Sequence, residues 1–375
     1  MRSVLIGPVY PYRGGIAHYT TMLYRVLREQ GHDVLLVSFK RQYPQWLFPG
    51  RSDRDPSKVP LEVEGAEYWI DSLNPFTWLT TFWCIRRYRP DAMILQWWTP
   101  FWTPVWFVLV TLNYLFLGSP VIYICHNVFP HEVHWYDHWL TWLVLRWGAR
   151  FIVQSREEEA RLLSLLPGAQ ATTVPLPVFD MFSRERISKE AARRQLGLLS
   201  EVPILLFFGV VRTYKGLEDL LAVLPEVQER LEKVILLVAG EFWEDKRPYL
   251  RMIEQLGIGD SVILEDRYIS NEEIALYFSA ADVLVAPYRQ VTGSGVVQMA
   301  IGHQCPVITT AVGGLPDLIH DEENGLLVPP ADSAALARAI IHYFADGLAA
   351  SMARAARDRR PVADWHALID AIESV

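Results

Sequence analysis

The chain has 375 residues, of which 51% are hydrophobic and 21% are charged, and its formal net charge is −8 at pH 7. This length suits two domains of roughly 150 to 200 residues, and the composition excludes a disordered chain. An acidic chain without a dense basic stripe argues against nucleic acid as a partner. Cys84, Cys125 and Cys305 lie in apolar surroundings, so we expect buried reduced thiols rather than disulfides or a thiolate metal site.

Basic and acidic residues are divided unevenly along the chain. Residues 1–175 carry sixteen Lys and Arg against fourteen Asp and Glu, whereas the remainder carries nineteen against twenty-nine. This shift predicts a domain boundary near residues 175–178, and so domains over 1–176 and 177–357. The amphipathic segment at the far end predicts a final helix over 358–375. The first residues lack the long apolar core of a signal peptide, so we expect a cytoplasmic protein.

Both halves alternate short apolar runs with amphipathic stretches, as βαβ units do. The predicted strands are residues 4–7, 34–38, 92–96, 121–125 and 151–154 in the first half, and 203–209, 234–240, 261–264, 283–287 and 306–310 in the second. Such apolar strands indicate parallel sheets covered on both faces. We therefore expect an α/β protein of two doubly wound, Rossmann-like domains facing across a cleft, where the strand ends would bind ligands.

The first predicted strand leads into GGIAHYT, where Gly14 and Gly15 occupy the turn before a helix that begins near Ile16. Free amides at a helix start attract anions, so this turn is a possible phosphate site. A simple strand-to-helix turn explains the glycines equally well, since such turns are common. The spacing also does not fit the dinucleotide pattern G-x-G-x-x-G, so no NAD site is predicted.

Tryptophan is concentrated in the first half, with eleven of fourteen between Trp69 and Trp147, and residues 92–131 contain no Asp, Glu, Lys or Arg. Three prolines interrupt this charge-free run and leave no helix of the roughly 20 residues that a membrane span requires. With three arginines at positions 86, 87 and 89, the aromatic residues suit a surface lying on an anionic membrane. Alternatively, they pack the core or line an acceptor cleft, and the sequence leaves both interpretations open.

His126 and Asn127 follow the predicted strand 121–125, at the end of the strand where a cleft residue is expected. His131 and Glu132 come shortly afterwards and could position or deprotonate an acceptor hydroxyl. For both histidines, a capping or buried structural role is the alternative.

A zinc site on His131, His134 and His138 was also considered, because spacings of three and four can share one helical face. The order H-E-V-H departs from the H-E-x-x-H arrangement, and Pro130 makes the helix start uncertain. We therefore predict no metal site.

Arg212 and Lys215 follow the predicted strand 203–209 and precede a helix that starts near Gly216. Cations at a helix start oppose the macrodipole unless an anion lies there. Together they could neutralise a departing diphosphate, which is electrostatic catalysis without a metal. A solvated charged face is the alternative.

The segment PYRQVTGSGVVQMAIGHQCPVITTAVGGLPD, residues 287–317, places two glycine-rich turns on either side of an apolar helix and a buried strand. Gly293, Ser294 and Gly295 open the helix, whose first amides are free to face an anion. Gly313 and Gly314 end the strand and allow a tight turn or a close approach to a ligand. The segment is therefore interpreted as a cradle for a phosphorylated sugar.

Five ordered motifs, GGIAHYT, HNVFPHE, FFGVVRTYKG, DRYISNEEIALYFSAADVLVAPY and VTGSGVVQMAIGHQCPVITTAVGGLPD, resemble those of the retaining glycosyltransferases of family four. The resemblance covers nearly the whole chain. It implies the two-domain GT-B fold, an acceptor-side first domain, a second domain that binds a nucleotide-diphosphate sugar, and a last helix that packs back on the first domain. It also implies chemistry without a bound metal or a further cofactor.

The resemblance assigns a role to each matching residue. Catalytic roles fall to His126, facing the donor sugar, and to Arg212 and Lys215, holding the diphosphate. Donor-binding roles fall to Gly14 and Gly15 near the phosphates, Tyr268 and Ile269 near the base, and Gly293, Ser294 and Gly295 near the diphosphate and sugar. Gln290 and Gln298 stand where the family usually has two glutamates for the sugar and ribose hydroxyls, which implies altered donor binding, because an amide lacks the charge of a carboxylate.

These features and the resemblance together predict an enzyme that moves a hexose from a nucleotide-diphosphate sugar to a hydroxyl of a glycan or lipid-linked acceptor, in the cytoplasm or at the inner face of the membrane. That the enzyme retains the configuration at the sugar is implied by the resemblance alone. Two rival functions stay open. One is a sugar-nucleotide epimerase or hydrolase on the same fold. The other is a non-catalytic sugar-binding or partner-binding protein, which the two glutamines favour.

Overall fold

Two parallel β-sheets organise the chain in the computed structural model, which describes residues 1–130, 133–182, 187–358 and 365–374. The residues group into two units, each with its own sheet and hydrophobic core. Unit 1 contains Met1–Asp55, Pro60–Pro175 and the last helix of the chain. Unit 2 contains Pro56–Val59 and the chain from Leu176 through the penultimate helix, so four residues of the first half belong to the second unit.

Unit 1 is built on seven strands that all pair in parallel. They are β1 (Arg2–Ile6), β2 (Asp33–Arg41), β3 (Glu67–Asp71), β4 (Ala92–Trp97), β5 (Val121–Cys125), β6 (Arg150–Val153) and β7 (Ala171–Thr173). The order across the sheet is β3-β2-β1-β4-β5-β6-β7. The connecting helices are α1 (Gly15–Glu29), α2 (Pro75–Tyr88), α3 (Thr103–Phe116), α4 (Trp135–Leu145) and α5 (Arg156–Leu165).

Unit 2 has a six-stranded sheet, again with every pair parallel. Its strands are β8 (Ile204–Phe208), β9 (Ile235–Ala239), β10 (Val262–Glu265), β11 (Val283–Ala286), β12 (Val307–Thr310) and β13 (Gly325–Val328), in the order β10-β9-β8-β11-β12-β13. Its helices are α6 (Lys189–Gln195), α7 (Leu217–Leu231), α8 (Arg247–Gln255), α9 (Asn271–Ala280), α10 (Gly295–Gly302), α11 (Ser333–Ala345) and α12 (Leu348–Asp358).

The strand order of each sheet changes direction at one point. In unit 2 the chain proceeds from β8 outwards through β9 and β10, then returns to β11 on the other side of β8. In open α/β sheets, ligands bind outside the carboxyl ends of the strands at this switch point. The turns after β8 and β11 are therefore the expected ligand-facing segments of unit 2.

The predicted α/β fold with parallel sheets is confirmed, and each of the ten predicted strands overlaps an observed one. Three strands were not predicted, namely β3, β7 and β13. All three lie at sheet edges, as does β10, which was predicted. β7 is also only three residues long, and β3 mixes aromatic with acidic residues.

The last helix, α13 (Trp365–Glu373), packs on α1 within unit 1. The ring centroids of Trp365 and Tyr19 are 5.3 Å apart, and Leu368, Ile369 and Ile372 are buried at the helical spacing seen in the sequence. At the helix end, the Glu373 carboxylate lies 2.9 Å from Nε2 of His32. Apolar packing thus fixes this helix, as an amphipathic segment requires.

The tryptophans of unit 1 divide between core and surface. Trp97, Trp102 and Trp106 are fully buried, whereas Trp83 and Trp139 are exposed. The three cysteines are free, and burial raises the pKa of Cys305 to about 12. Cys125 is buried as well, but Cys84 is only half-buried, because it lies on α2 away from the fully apolar core. None of the helices in the described part of the chain is long and apolar enough to cross a membrane.

Candidate functional site

The turn between β11 and α10 is the first part of the candidate site in unit 2. Ser294 is the N-cap of α10, and its Oγ accepts a hydrogen bond of 3.2 Å from the backbone N of Val297. The Ser294 hydroxyl also lies 3.1 Å from the Tyr288 hydroxyl. The earlier amides of this helix start, those of Gly295 and Val296, have no intrahelical acceptor by position, so they suit an anion.

The second glycine-rich turn, after β12, lies directly against the first. Gly314 N donates to Thr292 O at 2.9 Å. Gly313 has a φ of +54°, and a Cβ placed there would overlap the carbonyl oxygen of Val291. Only glycine allows this close approach. Backbone contact therefore holds together the two glycine-rich turns, which were interpreted from the sequence as parts of one binding site.

The turn after β8 carries Arg212 and Lys215. It forms a short 3₁₀ turn, Thr213–Lys215, before α7. The Glu244 carboxylate accepts hydrogen bonds from Thr213 N at 2.9 Å and Thr213 Oγ1 at 2.6 Å, and it lies 3.6 Å from Arg212 Nε. Glu244 therefore fixes the turn and partly balances the Arg212 charge.

The turns after β8 and β11 are also tied to each other. Arg289 N donates to Tyr214 O at 2.8 Å, and the Arg289 guanidinium makes two hydrogen bonds of 2.9 Å to the Asp219 carboxylate on α7. Such bidentate pairs combine strength with fixed geometry. The switch point of this sheet is consequently a rigid assembly of two turns.

Lys215 is the charged residue of this assembly that has the least compensation from groups of opposite charge. Its side chain is buried, with 8% exposed, and within the described part of the chain no carboxylate pairs with its Nζ. Burial, with a smaller effect of the neighbouring Arg212 charge, lowers the pKa of Lys215 to about 8. Two neighbouring cations with only partial balance form a site that gains stability when an anion binds.

Gly209 explains how Lys215 reaches the helix start. This glycine follows β8 and has a φ of +91°, and a Cβ there would lie 3.2 Å from Lys215 Nζ and 3.1 Å from Cγ2 of Val296. The ammonium group thus lies close to the first turn of α10. The Lys215 ammonium and the amides of the α10 start therefore face one small region, where they could bind the oxygens of a diphosphate.

Tyr268 and Ile269 lie between β10 and α9, where Ile269 is buried and Tyr268 is half-buried. The start of α9 receives the short segment Pro56–Val59: Asn271 N donates to Ser57 Oγ at 2.9 Å, and Lys58 N donates to Glu272 Oε1 at 3.1 Å. No local sequence pattern predicts this insertion, because it depends on contacts between residues more than two hundred positions apart.

In unit 1, Gly14 is the N-cap of α1 and Gly15 its first residue. A Cβ built on either glycine would meet no atom within 4 Å, so the space before this helix start is open. His18, one turn later, is buried, and burial lowers its pKa to about 4. The helix start therefore carries open amides but no nearby charged imidazole at neutral pH.

His126 lies at the carboxyl end of β5 as predicted, but both of its ring nitrogens have protein partners. Nε2 donates to Gln96 Oε1 at 2.5 Å, and Nδ1 accepts from Gln154 Nε2 at 2.8 Å. The Tyr19 ring packs edge-on, with centroids 4.8 Å apart. Burial lowers the pKa of His126 to about 3, so the ring is neutral across the physiological range.

Gln96 and Gln154, which sequence reasoning did not single out, follow from the order of the strands. Gln96 belongs to β4 and Gln154 follows β6, the two neighbours of β5. Since parallel strands end at the same edge, the three residues form one row of hydrogen bonds across the sheet. The signal was present, because each glutamine closed a predicted strand. We name Gln96, His126 and Gln154 the histidine row.

Glu158, on α5, holds the loop that follows His126. Its Oε2 accepts a hydrogen bond of 2.5 Å from Val128 N, its Oε1 accepts from Arg161 Nη1 at 2.7 Å, and Trp97 Nε1 donates to Val128 O at 3.2 Å. Burial raises the pKa of Glu158. Asn127, between these anchors, is half-buried.

His131 and Glu132 lie outside the described residues, so the first two positions of the possible zinc motif are not placed. His134 contacts Asp137 through Nδ1 at 3.5 Å, and the His138 ring packs on Phe129 with centroids 4.4 Å apart. Over the described ranges, no group of three or more His, Cys, Asp or Glu side chains is arranged to hold a metal ion.

Comparison with known proteins finds a matching protein-family model for each half of the chain. A model described as glycosyl transferases group 1 matches residues 202–346, and one described as glycosyl transferase 4-like domain matches residues 14–177. The chain belongs to the GT-B glycosyltransferases of family four. Both the Lys215 turn and the histidine row lie within the matched residues.

Curated relatives of this glycosyltransferase family member include D-inositol 3-phosphate glycosyltransferases. The one from Streptomyces avermitilis is 33% identical over 242 residues, which cover 60% of this chain and 51% of the relative. The one from Xylanimonas cellulosilytica is 30% identical over 215 residues, covering 55% and 51%. The chain thus spans about half the length of the curated relatives it matches.

Solved structures share the fold over the whole chain. Sucrose-phosphate synthase from Thermosynechococcus elongatus superimposes with a TM-score of 0.73 at 23% identity, covering 100% of this chain and 97% of that one. Anabaena HepE in complex with UDP and glucose gives a TM-score of 0.75 at 15% identity, with 100% of both chains covered.

Gln290 and Gln298, the two glutamines of the segment 287–317, have different surroundings. Gln290 is exposed in the turn after β11. Gln298, on α10, is fully buried, and its Nε2 donates to Leu176 O at 2.5 Å, while its Oε1 has no hydrogen-bond partner among the described residues. A glutamate at this position would turn a carboxylate oxygen towards that carbonyl, so the amide is the group that fits the local structure.

Proposed function

We propose that this protein is a retaining glycosyltransferase that moves a hexose from a nucleotide-diphosphate sugar to a hydroxyl of a glycan or lipid-linked acceptor. The single observation that carries the proposal is the buried Lys215 ammonium, which lacks a carboxylate partner in the described residues and faces the start of α10 beside Arg212. The family membership and the UDP bound to the structurally similar HepE support the same conclusion.

The proposed chemistry uses the charge of the two turns after β8 and β11. The bond between the sugar C1 and the diphosphate oxygen breaks, and Arg212 and Lys215 neutralise the charge that develops on the leaving diphosphate. The amides of Gly295 and Val296 add donors to the same group. The acceptor hydroxyl forms the new bond to C1 from the same face, and its proton passes to a leaving phosphate oxygen.

Several details of the proposal rest on the family resemblance. These are retention at C1, chemistry without a metal or further cofactor, and the contacts of Tyr268 and Ile269 with the base. Gly14, Gly15, Asn127, His131 and Glu132 keep their predicted donor-side and acceptor-side roles. For His126, the observed hydrogen bonds favour a neutral group that positions its neighbours over one that transfers a proton. We further propose that the protein acts in the cytoplasm, at the inner face of the membrane.

Donor turnover separates this function from its rivals. The purified protein is incubated with UDP-, GDP-, ADP- and TDP-sugars, with and without glycan and lipid-linked acceptors, while free nucleoside diphosphate and glycosylated product are measured. Product that forms only with an acceptor supports the transferase. Acceptor-independent nucleotide release identifies a hydrolase, sugar inversion within the donor identifies an epimerase, and nucleotide binding without turnover identifies a binding protein.

A further inference from the structure

The outward side of α4 is the most unusual surface of unit 1. Trp135, Trp139 and Trp142 recur at spacings of four and three, and their side chains are 87%, 58% and 38% exposed. On the inward side of the same helix, Asp137 and Thr141 are buried together with Val144 and Leu145. A helix of a globular protein normally directs its large apolar residues towards the core, so three exposed tryptophans on one helix are unusual.

Two further helices extend this surface, since α3 packs on α4 and α2 packs on α3. Phe76 and Trp83 are exposed on α2, and Tyr114 is exposed on α3. The Trp83 ring lies 5.8 Å from that of Phe116 on α3, and the Tyr114 ring lies 4.9 Å from that of Trp147, which follows α4. These ring contacts connect α2 to α3 and α3 to the end of α4. We name Phe76, Trp83, Tyr114, Trp135, Trp139 and Trp142 the aromatic face.

Exposed positive charge accompanies the aromatic face. The Arg146 guanidinium lies 4.7 Å from the Trp142 ring centroid and 5.1 Å from that of Trp147, and the Arg86 guanidinium lies 5.1 Å from that of Trp83. Within α2, α3 and α4 the single acidic residue is Asp137, which is 4% exposed. The charge these helices present to solvent is therefore positive.

Several occupants could cover such a surface, and its composition favours one. An exposed apolar patch of this extent marks an interaction site on a soluble domain. Two copies of the same face would bring arginines of like charge together, which opposes self-association. Tryptophan and tyrosine with arginine are the side chains that concentrate at the boundary between lipid headgroups and acyl chains.

We propose that the aromatic face docks on the surface of an anionic phospholipid bilayer, with the tryptophans of α4 inserted at the headgroup boundary and Arg86 and Arg146 on lipid phosphates. No span of the membrane is involved, in keeping with the lengths of the described helices. The proposal extends the proposed function, on which it rests only for the idea that the acceptor is lipid-linked. Vesicle binding needs no turnover, so the two proposals fail independently.

Vesicle cosedimentation of the full chain tests the proposal. The wild-type protein is mixed with vesicles of phosphatidylcholine alone or of phosphatidylcholine with phosphatidylglycerol. The test variant combines Trp135→Ser, Trp139→Ser and Trp142→Ser. The matched control combines Trp46→Ser and Leu47→Ser, two exposed apolar residues of unit 1 outside the aromatic face. A further variant, Arg86→Gln with Arg146→Gln, removes charge while leaving the tryptophans.

The wild-type protein and the control should sediment with the anionic vesicles at least about tenfold more than with neutral ones, and added salt should weaken this binding. The triple tryptophan variant should lose at least about tenfold in partitioning, and the arginine variant should lose most of the preference for anionic lipid. Equal binding of the wild type and the triple variant, or no binding by the wild type, overturns the proposal. A wild-type dimer in vesicle-free solution that the triple variant abolishes also overturns it, in favour of a second copy as the occupant.

Discussion

The polar clusters at the carboxyl ends of the two sheets differ in how completely they are balanced. In unit 1, the histidine row is neutral, and both ring nitrogens of His126 have hydrogen-bond partners. In unit 2, Lys215 is buried beside Arg212 without a carboxylate partner in the described chain. A satisfied network stabilises its own unit, whereas unbalanced buried charge requires a ligand of the opposite sign to reach its lowest free energy.

The comparison assigns different tasks to the two clusters. The unit 2 cluster should respond to anions and to loss of a single charge. The unit 1 cluster should respond to loss of a hydrogen bond, with a change in stability and in the position of the loop after β5.

Removal of the Lys215 charge should have the largest effect. We expect Lys215→Ala to lower donor turnover by at least about a hundredfold, because one electrostatic donor at a developing charge commonly contributes that much. The thermal unfolding temperature should not fall, since the substitution removes an unbalanced buried charge. Turnover and thermal unfolding are measured on the same preparation.

The matched control for this variant is Lys246→Ala, because Lys246 forms an exposed ion pair with Asp266 in the same unit, at 2.8 Å. Such pairs contribute about 0 to 1 kcal/mol, so the control should behave as the wild type. Near wild-type turnover of Lys215→Ala would contradict the proposed role of the unit 2 cluster.

Loss of the Glu158 carboxylate should destabilise unit 1 without weakening nucleotide binding. Glu158→Ala leaves the buried amide of Val128 without its acceptor, and we expect the free energy of unfolding to fall by about 1–3 kcal/mol. Urea denaturation followed by tryptophan fluorescence measures this change. Glu157→Ala removes a neighbouring exposed carboxylate and should change the stability by less than about 0.5 kcal/mol. Equal effects of the two variants would contradict the anchoring role of Glu158.

Nucleoside diphosphate affinity should depend on pH through Lys215. Because its pKa in the ligand-free protein is lowered to about 8, the ammonium is present below that pH and is lost above it. An anion binds the protonated form more tightly, so affinity should be highest below pH 8 and fall by up to about tenfold per pH unit above it. Calorimetric titrations across this range give the profile. The Lys215→Arg variant keeps its charge and should lose this fall; a wild-type profile flat through pH 8 would contradict the assignment.

The smallest effect on nucleotide binding is expected for Gln96→Glu. A carboxylate facing Nε2 should stabilise the imidazolium and raise the His126 pKa by about 1–3 units from its present value near 3. NMR titration of the imidazole signals measures the shift, with Gln170→Glu, an exposed position in unit 1, as the control. Nucleotide affinity should stay unchanged. An unchanged His126 titration would show that the histidine row is not linked as described.

Much of the fold was predictable from the sequence, because strands buried on both faces are apolar throughout. Most of the predicted strands belong to this class, such as β5, whose residues are all buried. The half-buried edge strand β10 could still be found, because three of its four residues are apolar. The edge strands β3 and β7 could not be found in this way, because β3 carries an acidic residue at each end and β7 has only three residues, two of them threonine. The insertion of Pro56–Val59 into unit 2 was also unpredictable, because it depends on the tertiary position of α9.

The candidate site, like the fold, was only partly predictable from the sequence. Arg212 and Lys215 could be singled out because they follow a predicted strand and precede a helix, and that local pattern fixes their place at the switch point. The local pattern could not reveal that Lys215 is buried or that Glu244 balances Arg212, since both facts depend on packing between distant segments. His126 was placed correctly at its strand end. The hydrogen bonds of its two ring nitrogens to Gln96 and Gln154 could not be predicted without the strand order.

The most direct test of the central claim is the thermal shift of the wild-type protein and of Lys215→Ala with UDP, GDP, ADP and TDP, since a ligand that binds the folded state raises its melting temperature. We expect a clear rise for the wild type with one of these nucleotides, and a rise that is lost in Lys215→Ala but retained in Lys246→Ala. No shift with any nucleotide, or an equal shift in Lys215→Ala, would contradict the claim that the unbalanced charge of unit 2 is a diphosphate site.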